Sequence, residues 1–320
     1  MELLQEIKDR LLKGGNITRE EASAIAREAD LDELCDVADA VCRHFQGTTV
    51  DSCSIVNARS GDCGEDCKWC AQASRHHTGC VSYRFISMAD TMEAARHNEK
   101  EGIRRFSLVT SGRTVSDKDL DKFCDIYKKL DEETDLYLCA SMGLLSKEQL
   151  ARLQKAGVRR YHCNMETSKE YFRTLCTTHT PEDKEKTINA ARELGMDICS
   201  GGIIGMGETM EQRLDFAFEL AELGVDSVPM NILDPIPGTP LESTPLISEE
   251  DIIRTAAMFR LILPQKSIRF AGGRMRLSQE SMLRMMTGGV NGVLMGDMLT
   301  TVSNTIAQDR ELFKNANLEF

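Results

Sequence analysis

An α/β fold, specifically a (β/α)8 TIM-type barrel with an N-terminal helical extension, is predicted by three observations. Eight short, β-prone apolar runs recur between Cys53 and Met295. An amphipathic helical stretch follows each of them, the apolar period changing from 2 to about 3.6 residues. No long linker or low-complexity stretch interrupts this alternation. At 320 residues with 41% hydrophobic side chains, the chain can fill one large barrel core. Strictly alternating strand and helix call for a parallel sheet. A doubly wound open sheet is the alternative, and eight units favour the closed barrel.

Residues 1–48 read as a helical cap. Leu3, Leu4, Ile7, Leu11 and Leu12 share one face between Met1 and Gly14. Thr18 caps a helix that opens Arg19-Glu20-Glu21-Ala22, and Leu31–Phe45 repeats the pattern. Residues 49–320 then form the barrel and a C-terminal helix. Strands are predicted at Cys53–Ala58, Arg105–Thr110, Leu136–Ser141 and Arg160–Asn164, then at Asp197–Ile203, Ser227–Ile232, Ser267–Ala271 and Gly292–Met295. Their helices are predicted at Met88–Lys100, Asp117–Leu130, Lys147–Lys155 and Pro181–Leu194, then at Glu211–Leu223, Glu249–Leu263, Gln279–Met286 and Ser303–Phe313. Chemistry in such barrels sits at the C-terminal ends of the strands.

Composition narrows the partners. A net charge of −12 at pH 7 repels phosphates, which argues against a nucleic-acid or anionic-membrane partner. No run of 18 apolar residues and no charged-then-apolar leader occurs, so a cytoplasmic protein is expected. Twelve cysteines in a reducing compartment are metal ligands or small buried hydrophobes rather than disulfides.

Position separates those two roles. Directly after the first strand stand Cys63, Cys67 and Cys70, a C-x3-C-x2-C spacing that brings three thiolates from one loop onto three irons of a cubane. The fourth iron keeps an open position for a small chelating molecule, as catalytic zinc does. A structural zinc site would need a fourth ligand, and His76 and His77 are the local candidates. With Trp69 just before the last cysteine, this loop resembles the radical S-adenosylmethionine (SAM) superfamily. That resemblance implies a [4Fe-4S] cluster whose open iron holds SAM. One-electron reduction then yields methionine and a 5′-deoxyadenosyl radical, which takes hydrogen from a substrate.

Further segments are similar to the biotin synthase family. Tyr161-His-Cys-Asn164-Met-Glu166-Thr-Ser resembles its Y-N-H-N-L-D-T-S. Cys199-Ser-Gly-Gly-Ile-Ile-Gly-Met-Gly-Glu208-Thr resembles its C-S-G-G-I-x-G-L-G-E-T. Val228-Pro-Met-Asn231, Gly238-Thr-Pro-Leu, Arg269-Phe-Ala-Gly-Gly-Arg274 and Leu299-Thr300-Thr301 follow in the expected order, so the likeness runs from Cys53 to Phe313.

The resemblance implies conversion of dethiobiotin to biotin by sulfur insertion, with roles for matched residues. Asn164 and Glu166 contact SAM. Lys184 stands where the family has an arginine for the SAM carboxylate; it keeps the charge and loses the bidentate fork. Gly201 and Gly202 open a glycine-rich stretch that lets backbone approach SAM. Asn164 and Asn231 face the cyclic urea, which needs both a donor and an acceptor. Thr300 and Thr301 hold the substrate carboxylate. Each role has a plainer competitor: a helix N-terminal charge for Glu166, satisfaction of barrel backbone for the asparagines, and turn capping for the threonines.

The family also carries an auxiliary cluster inside the barrel, a [2Fe-2S] cluster held by cysteines on strands two, three and five and an arginine on strand seven. Cys139, Cys199 and Arg269 match, but strand two offers Ser107. Cys53 on strand one is the expected replacement, because barrel interiors fill in layers drawn from alternate strands. Moving a ligand opens the way to a four-iron cluster carrying an extra sulfide. Alternation along the strand turns Cys163 away from a lumen-facing Asn164. Cys80 and Cys176, in loops near the mouth, are within reach of an enlarged cluster. Cys35, Cys42 and Cys124, like most of the sixteen methionines, fall at helical core positions. A flavodoxin or ferredoxin electron donor and a homodimer are implied by the resemblance alone. The rivals are a methylornithine synthase-like mutase, a hydrogenase-maturation enzyme, or a non-catalytic iron–sulfur electron carrier.

Overall fold

The chain is described by a computed structural model covering residues 2–296 and 304–320. Three helices come first: α1 (Glu2–Leu12), α2 (Arg19–Glu28) and α3 (Leu31–Gln46). Thr18 closes the start of α2 reciprocally. Its hydroxyl accepts from the Glu21 N–H at 3.2 Å, and the Glu21 carboxylate accepts from the Thr18 N–H at 2.9 Å. Leu34, Val37 and Val41 of α3 are almost fully buried, each such side chain contributing about 1.5–3 kcal/mol before entropy is counted.

The barrel follows. Its strands are β1 (Asp51–Arg59), β2 (Arg105–Thr110), β3 (Tyr137–Ser141), β4 (Arg160–His162), β5 (Asp197–Cys199), β6 (Gly202–Ile204), β7 (Ser227–Ile232), β8 (Ser267–Phe270) and β9 (Gly292–Leu294). Every pairing is parallel, in the order β5-β4-β3-β2-β1-β9-β8-β7-β6, and β5 also pairs with β7. That last contact closes the sheet, with β5 and β6 sharing one position in an eight-position wall. The predicted barrel is therefore observed, and the open sheet is not.

Between the strands run α4 (Met88–Lys100), α5 (Asp117–Glu133), α6 (Lys147–Lys155), α7 (Lys169–Leu175), α8 (Pro181–Glu193), α9 (Met210–Glu222), α10 (Glu249–Ile262), α11 (Gln279–Met286) and α12 (Ile306–Asn315). Each of these nine begins at a Ser or Thr whose hydroxyl accepts a first-turn N–H, as Ser116 does for Asp119. Such caps are worth about 1 kcal/mol apiece and fix where each helix starts. α3 packs on α10, and α2 packs on α9. Gln46 donates to the Gln265 carbonyl at 2.7 Å, just ahead of β8, so α3 ends at the N-terminal rim of the barrel. Among the described residues no helix is long and apolar enough to cross a membrane.

Two elements differ from expectation. The strand predicted at Asp197–Ile203 is broken at Ser200 and Gly201. Pro229 lies between Ser227 and Met230, the residues paired with Cys199 and Gly202, and has no N–H to give the ladder. Gly201 meets it closely: a Cβ there would sit 2.1 Å from the Pro229 carbonyl oxygen. The strand predicted to reach Asn164 ends at His162, and α7 intervenes before α8. The Ser168 hydroxyl, accepting from the Tyr171 N–H, starts that extra helix.

Candidate functional site

Two cavities share the barrel. The upper one lies at the C-terminal ends of the strands, against the loop after β1, and holds about 220 Å³. Cys63, Cys67 and Cys70 line it together with Asn164, Glu166 and Lys184. Cys63 is tied to the far side of its own loop, its N–H donating to the Gln72 carbonyl and its carbonyl accepting from Ser74. Asp66 anchors the loop from outside, accepting from the Thr177 and Thr178 N–H groups at 2.9 and 3.2 Å. Those bonds outweigh partial burial and hold its carboxyl well below the usual range. Trp69 packs on Leu175, Met206 and Leu233.

The three thiols of the loop line one cavity, as a cubane with one open iron requires. His76 Nδ1 lies 2.8 Å from the Cys70 carbonyl oxygen and is engaged there. The neighbour that sequence spacing missed is Cys176, its sulfur 3.7 Å from that of Cys67 and 3.3 Å from His179 Nδ1. Cys67, Cys176 and His179 have ligand atoms within 4.8 Å of one another. Cys176 therefore stands at the mouth, as its loop position predicted, and it does not line the lower cavity. Its position follows from the short helix α7, which turns the chain back onto the cysteine loop. Cys80 is exposed, and Cys163 lines the upper cavity.

Glu166 is held in the left-handed region at φ 77°, a conformation that costs a non-glycine residue about 1–3 kcal/mol and concentrates at functional sites. Its N–H donates to the Gly201 carbonyl at 3.0 Å, and its carbonyl accepts from Ile203 at 2.8 Å. A Cβ on Gly202 would lie 2.1 Å from that same carbonyl oxygen. Gly201 and Gly202 thus permit close backbone approach within the barrel wall. Burial raises the Glu166 carboxyl above its ordinary value. Asn164 accepts from the Gly201 N–H at 3.0 Å, and Lys184 Nζ donates to the Asn164 carbonyl at 2.7 Å. Asn231 likewise bridges backbone, donating to Gly202 O at 3.0 Å and accepting from Gly272 N at 2.9 Å. Both amides line the lower cavity while making these bonds. Thr300 and Thr301 lie outside the described residues.

The lower cavity, about 150 Å³, is inside the barrel. Cys53, Cys139, Cys199 and Arg269 all line it, as does Ser107. Arg269 is 3% exposed and donates to Asp51 at 2.6 Å. Sequence reasoning missed two further groups, Arg160 and His162 on β4. His162 Nδ1 lies 3.3 Å from the Cys199 sulfur, and His162 lines both cavities. Burial alone would raise the Cys199 thiol, but the His162 ring and the guanidiniums of Arg269 and Arg160 outweigh it and bring it to about 6. Burial pushes the Cys53 and Cys139 thiols up. Arg269 Nε and Arg160 Nε and Nη1 are buried without a hydrogen-bond partner. Three thiols beside two guanidiniums that keep buried N–H groups without acceptors fit an anionic iron–sulfur cluster.

Comparison with known proteins agrees with this geometry. Residues 59–233 match the Radical SAM superfamily, and residues 229–319 match the Biotin and Thiamin Synthesis associated domain. The chain is 47% identical to a biotin synthase of Parabacteroides distasonis, over 97% of this chain and 95% of that one. It is 48% identical to a biotin synthase of Acetivibrio thermocellus, over the full length of both. A solved methylornithine synthase superposes with TM-score 0.84 at 19% identity, covering 98% of this chain and 96% of its own. A likeness at that identity concerns the fold.

Proposed function

Because the chain belongs to the biotin synthase family of radical SAM proteins, we propose that its stacked cavities divide one reaction, the conversion of dethiobiotin to biotin. Near-half identity over the whole chain carries the reaction, and the burial of three thiols below a three-thiol loop supports the division. The mutase and maturase alternatives share the fold and lack that level of identity.

Cys63, Cys67 and Cys70 would hold the [4Fe-4S] cluster, with Asn164, Glu166 and Lys184 around SAM. Cys53, Cys139, Cys199 and Arg269 would hold the auxiliary cluster, Cys53 standing in for the thiolate absent at Ser107. When bound, these groups supply a radical that takes hydrogen from the substrate and the sulfide that replaces it. The chain's own part is aim and exclusion of water. Asn164 and Asn231 lie in the lower cavity, where their amides offer donor and acceptor to a cyclic urea. Thr300 and Thr301 would take the carboxylate. A primary radical is indiscriminate, so the barrel must fix the substrate between the two cavities. A flavodoxin or ferredoxin donor, a homodimer, a cytoplasmic location and a cap over residues 1–48 complete the proposal.

Anaerobic reconstitution with dithionite, SAM and dethiobiotin tests it, biotin and 5′-deoxyadenosine being assayed together. Both should form; deoxyadenosine without biotin would favour the mutase-like alternative. Cys53→Ala should lose interior iron while keeping SAM cleavage, and unchanged iron would remove Cys53 from the ligand set.

A further inference from the structure

The stretch that carries the last mouth cysteines runs against the charge of the rest of the chain. Of the 320 residues 51 are Asp or Glu, yet none falls within residues 67–89, which carry Lys68, Arg75 and Arg84. Arg84 is tied to Asp119 at 3.1 Å, and near the mouth Arg113 pairs with Asp183 and Arg173 with Glu182. Lys68 and Arg75 are exposed and enter no ion pair among the described residues. Val81 and Tyr83, 75% and 39% exposed, are two of the five large hydrophobic side chains that the described residues expose. The carboxylates bordering this stretch are occupied, Asp62 by the Ser82 hydroxyl and Glu242 by the Gly238 N–H.

This face is bonded directly to the thiol loop behind it. Ser74 donates its N–H to the Cys63 carbonyl at 2.8 Å, and His76 Nδ1 lies 2.8 Å from the Cys70 carbonyl oxygen. Lys68 follows Cys67 directly, and its own N–H is held by the Leu175 carbonyl at 3.0 Å. An electron arriving here has a short bonded route to the thiols, and tunnelling weakens exponentially with distance. Exposed apolar side chains beside unpaired cations are the composition of a transient protein interface. Their charge favours an acidic partner, by steering its approach.

We propose that residues 67–89 form the docking face for an acidic one-electron carrier protein. This rests on the reading that Cys63, Cys67 and Cys70 hold a redox-active cluster. At the contact the reduced carrier gives up one electron and the mouth cluster gains it; no bond or proton is exchanged. Lys68 and Arg75 attract the carrier's carboxylates, and Val81 and Tyr83 exclude water from the contact. A second copy of this chain, itself acidic, has matching charge too. Charge alone would place that copy on any unpaired cation, whereas a carrier has to reach the cluster loop.

The test drives SAM cleavage in the anaerobically reconstituted protein with a reduced flavodoxin, with a reduced ferredoxin and with dithionite, which needs no docking. Lys68→Glu and Arg75→Glu should each raise the KM for the accepted carrier about fivefold, and the pair more than tenfold. Dithionite-driven deoxyadenosine and cluster iron should stay at the parent level. Added salt should weaken the parent's carrier-driven reaction and hardly touch that of the double variant. Lys13→Glu, the same charge change beyond α1, should leave the KM alone. If Lys68→Glu loosens mouth iron, Arg75→Glu carries the test by itself. An unchanged KM overturns the proposal, and so does an equal rise in Lys13→Glu, which would assign the effect to net charge. A parent that dithionite reduces and neither carrier does overturns it as well, although the functional reading then stands. Parent and variants should have the same mass in solution; a dimer that the variants dissociate would make this face a self-contact and overturn the proposal. A parent that yields no deoxyadenosine even with dithionite sinks both.

Discussion

The mouth and the interior of this barrel each line a cavity with cysteines, and they assemble the main set in opposite ways. At the mouth, Cys63, Cys67 and Cys70 come from one loop, braced by Asp66 and Trp69. In the interior, Cys53, Cys139 and Cys199 come from strands β1, β3 and β5, and hydrogen bonding across the sheet sets their relation. The mouth adds the carboxylates of Glu65 and Glu166, the cations Arg113 and Lys184, and the imidazole of His179. The interior adds two guanidiniums, an imidazole and the amides of Asn164 and Asn231, and no carboxylate. A loop-built site is local, so it tolerates barrel changes and breaks when its loop breaks. A strand-built site inherits the rigidity of the barrel.

The largest expected effect comes from emptying one cavity at a time. Cys70→Ala should abolish deoxyadenosine formation, by about a thousandfold or more, while interior iron stays. Cys139→Ala should do the reverse, keeping SAM cleavage and losing biotin. Iron analysis of the two variants decides the matter; if either one empties both cavities, the sites are not independent. Next in size is the barrel wall beside Glu166. Gly202→Ala forces a methyl against the Glu166 carbonyl and should cost about 1–3 kcal/mol, seen as a lower thermal midpoint. SAM affinity should fall with it, because Glu166 must move. An unchanged midpoint would mean that the wall yields.

A smaller effect distinguishes the electrostatics. In cluster-free protein the Cys199 thiol, lowered to about 6, is thiolate above that pH and thiol below. Its alkylation by iodoacetamide should therefore rise through pH 6 and level off above it. His162→Asn should move that rise upward by about one unit or more, slowing the reaction at pH 7. A profile that does not move would assign the shift to the arginines alone. The smallest effect belongs to the brace on the mouth loop. Asp66→Asn loses acceptor strength toward two N–H groups and should cost about 1 kcal/mol. It should loosen mouth iron and leave interior iron alone.

Sequence made the mouth legible because its three loop cysteines lie within eight residues; their spacing needs no tertiary knowledge. Most strands and helices were legible for a similar reason, since period and Ser/Thr caps are local signals. The break after Cys199 was not, because its cause, Pro229, sits on a neighbouring strand. Cys176 was expected near the mouth, but its closeness to Cys67 was not legible, because it depends on an unexpected seven-residue helix, α7. Arg160 and His162 could have been found. Strand alternation put Cys163 on one side and Asn164 on the other, and the same period places residues 160, 162 and 164 together on the lumen face.

The most direct measurement is the origin of the sulfur in the product. Protein reconstituted with heavy-isotope sulfide, desalted, and supplied with SAM, reductant and dethiobiotin should yield biotin carrying the heavy isotope in its first turnover. Unlabelled biotin from such protein would mean that the lower cavity is not the sulfur source.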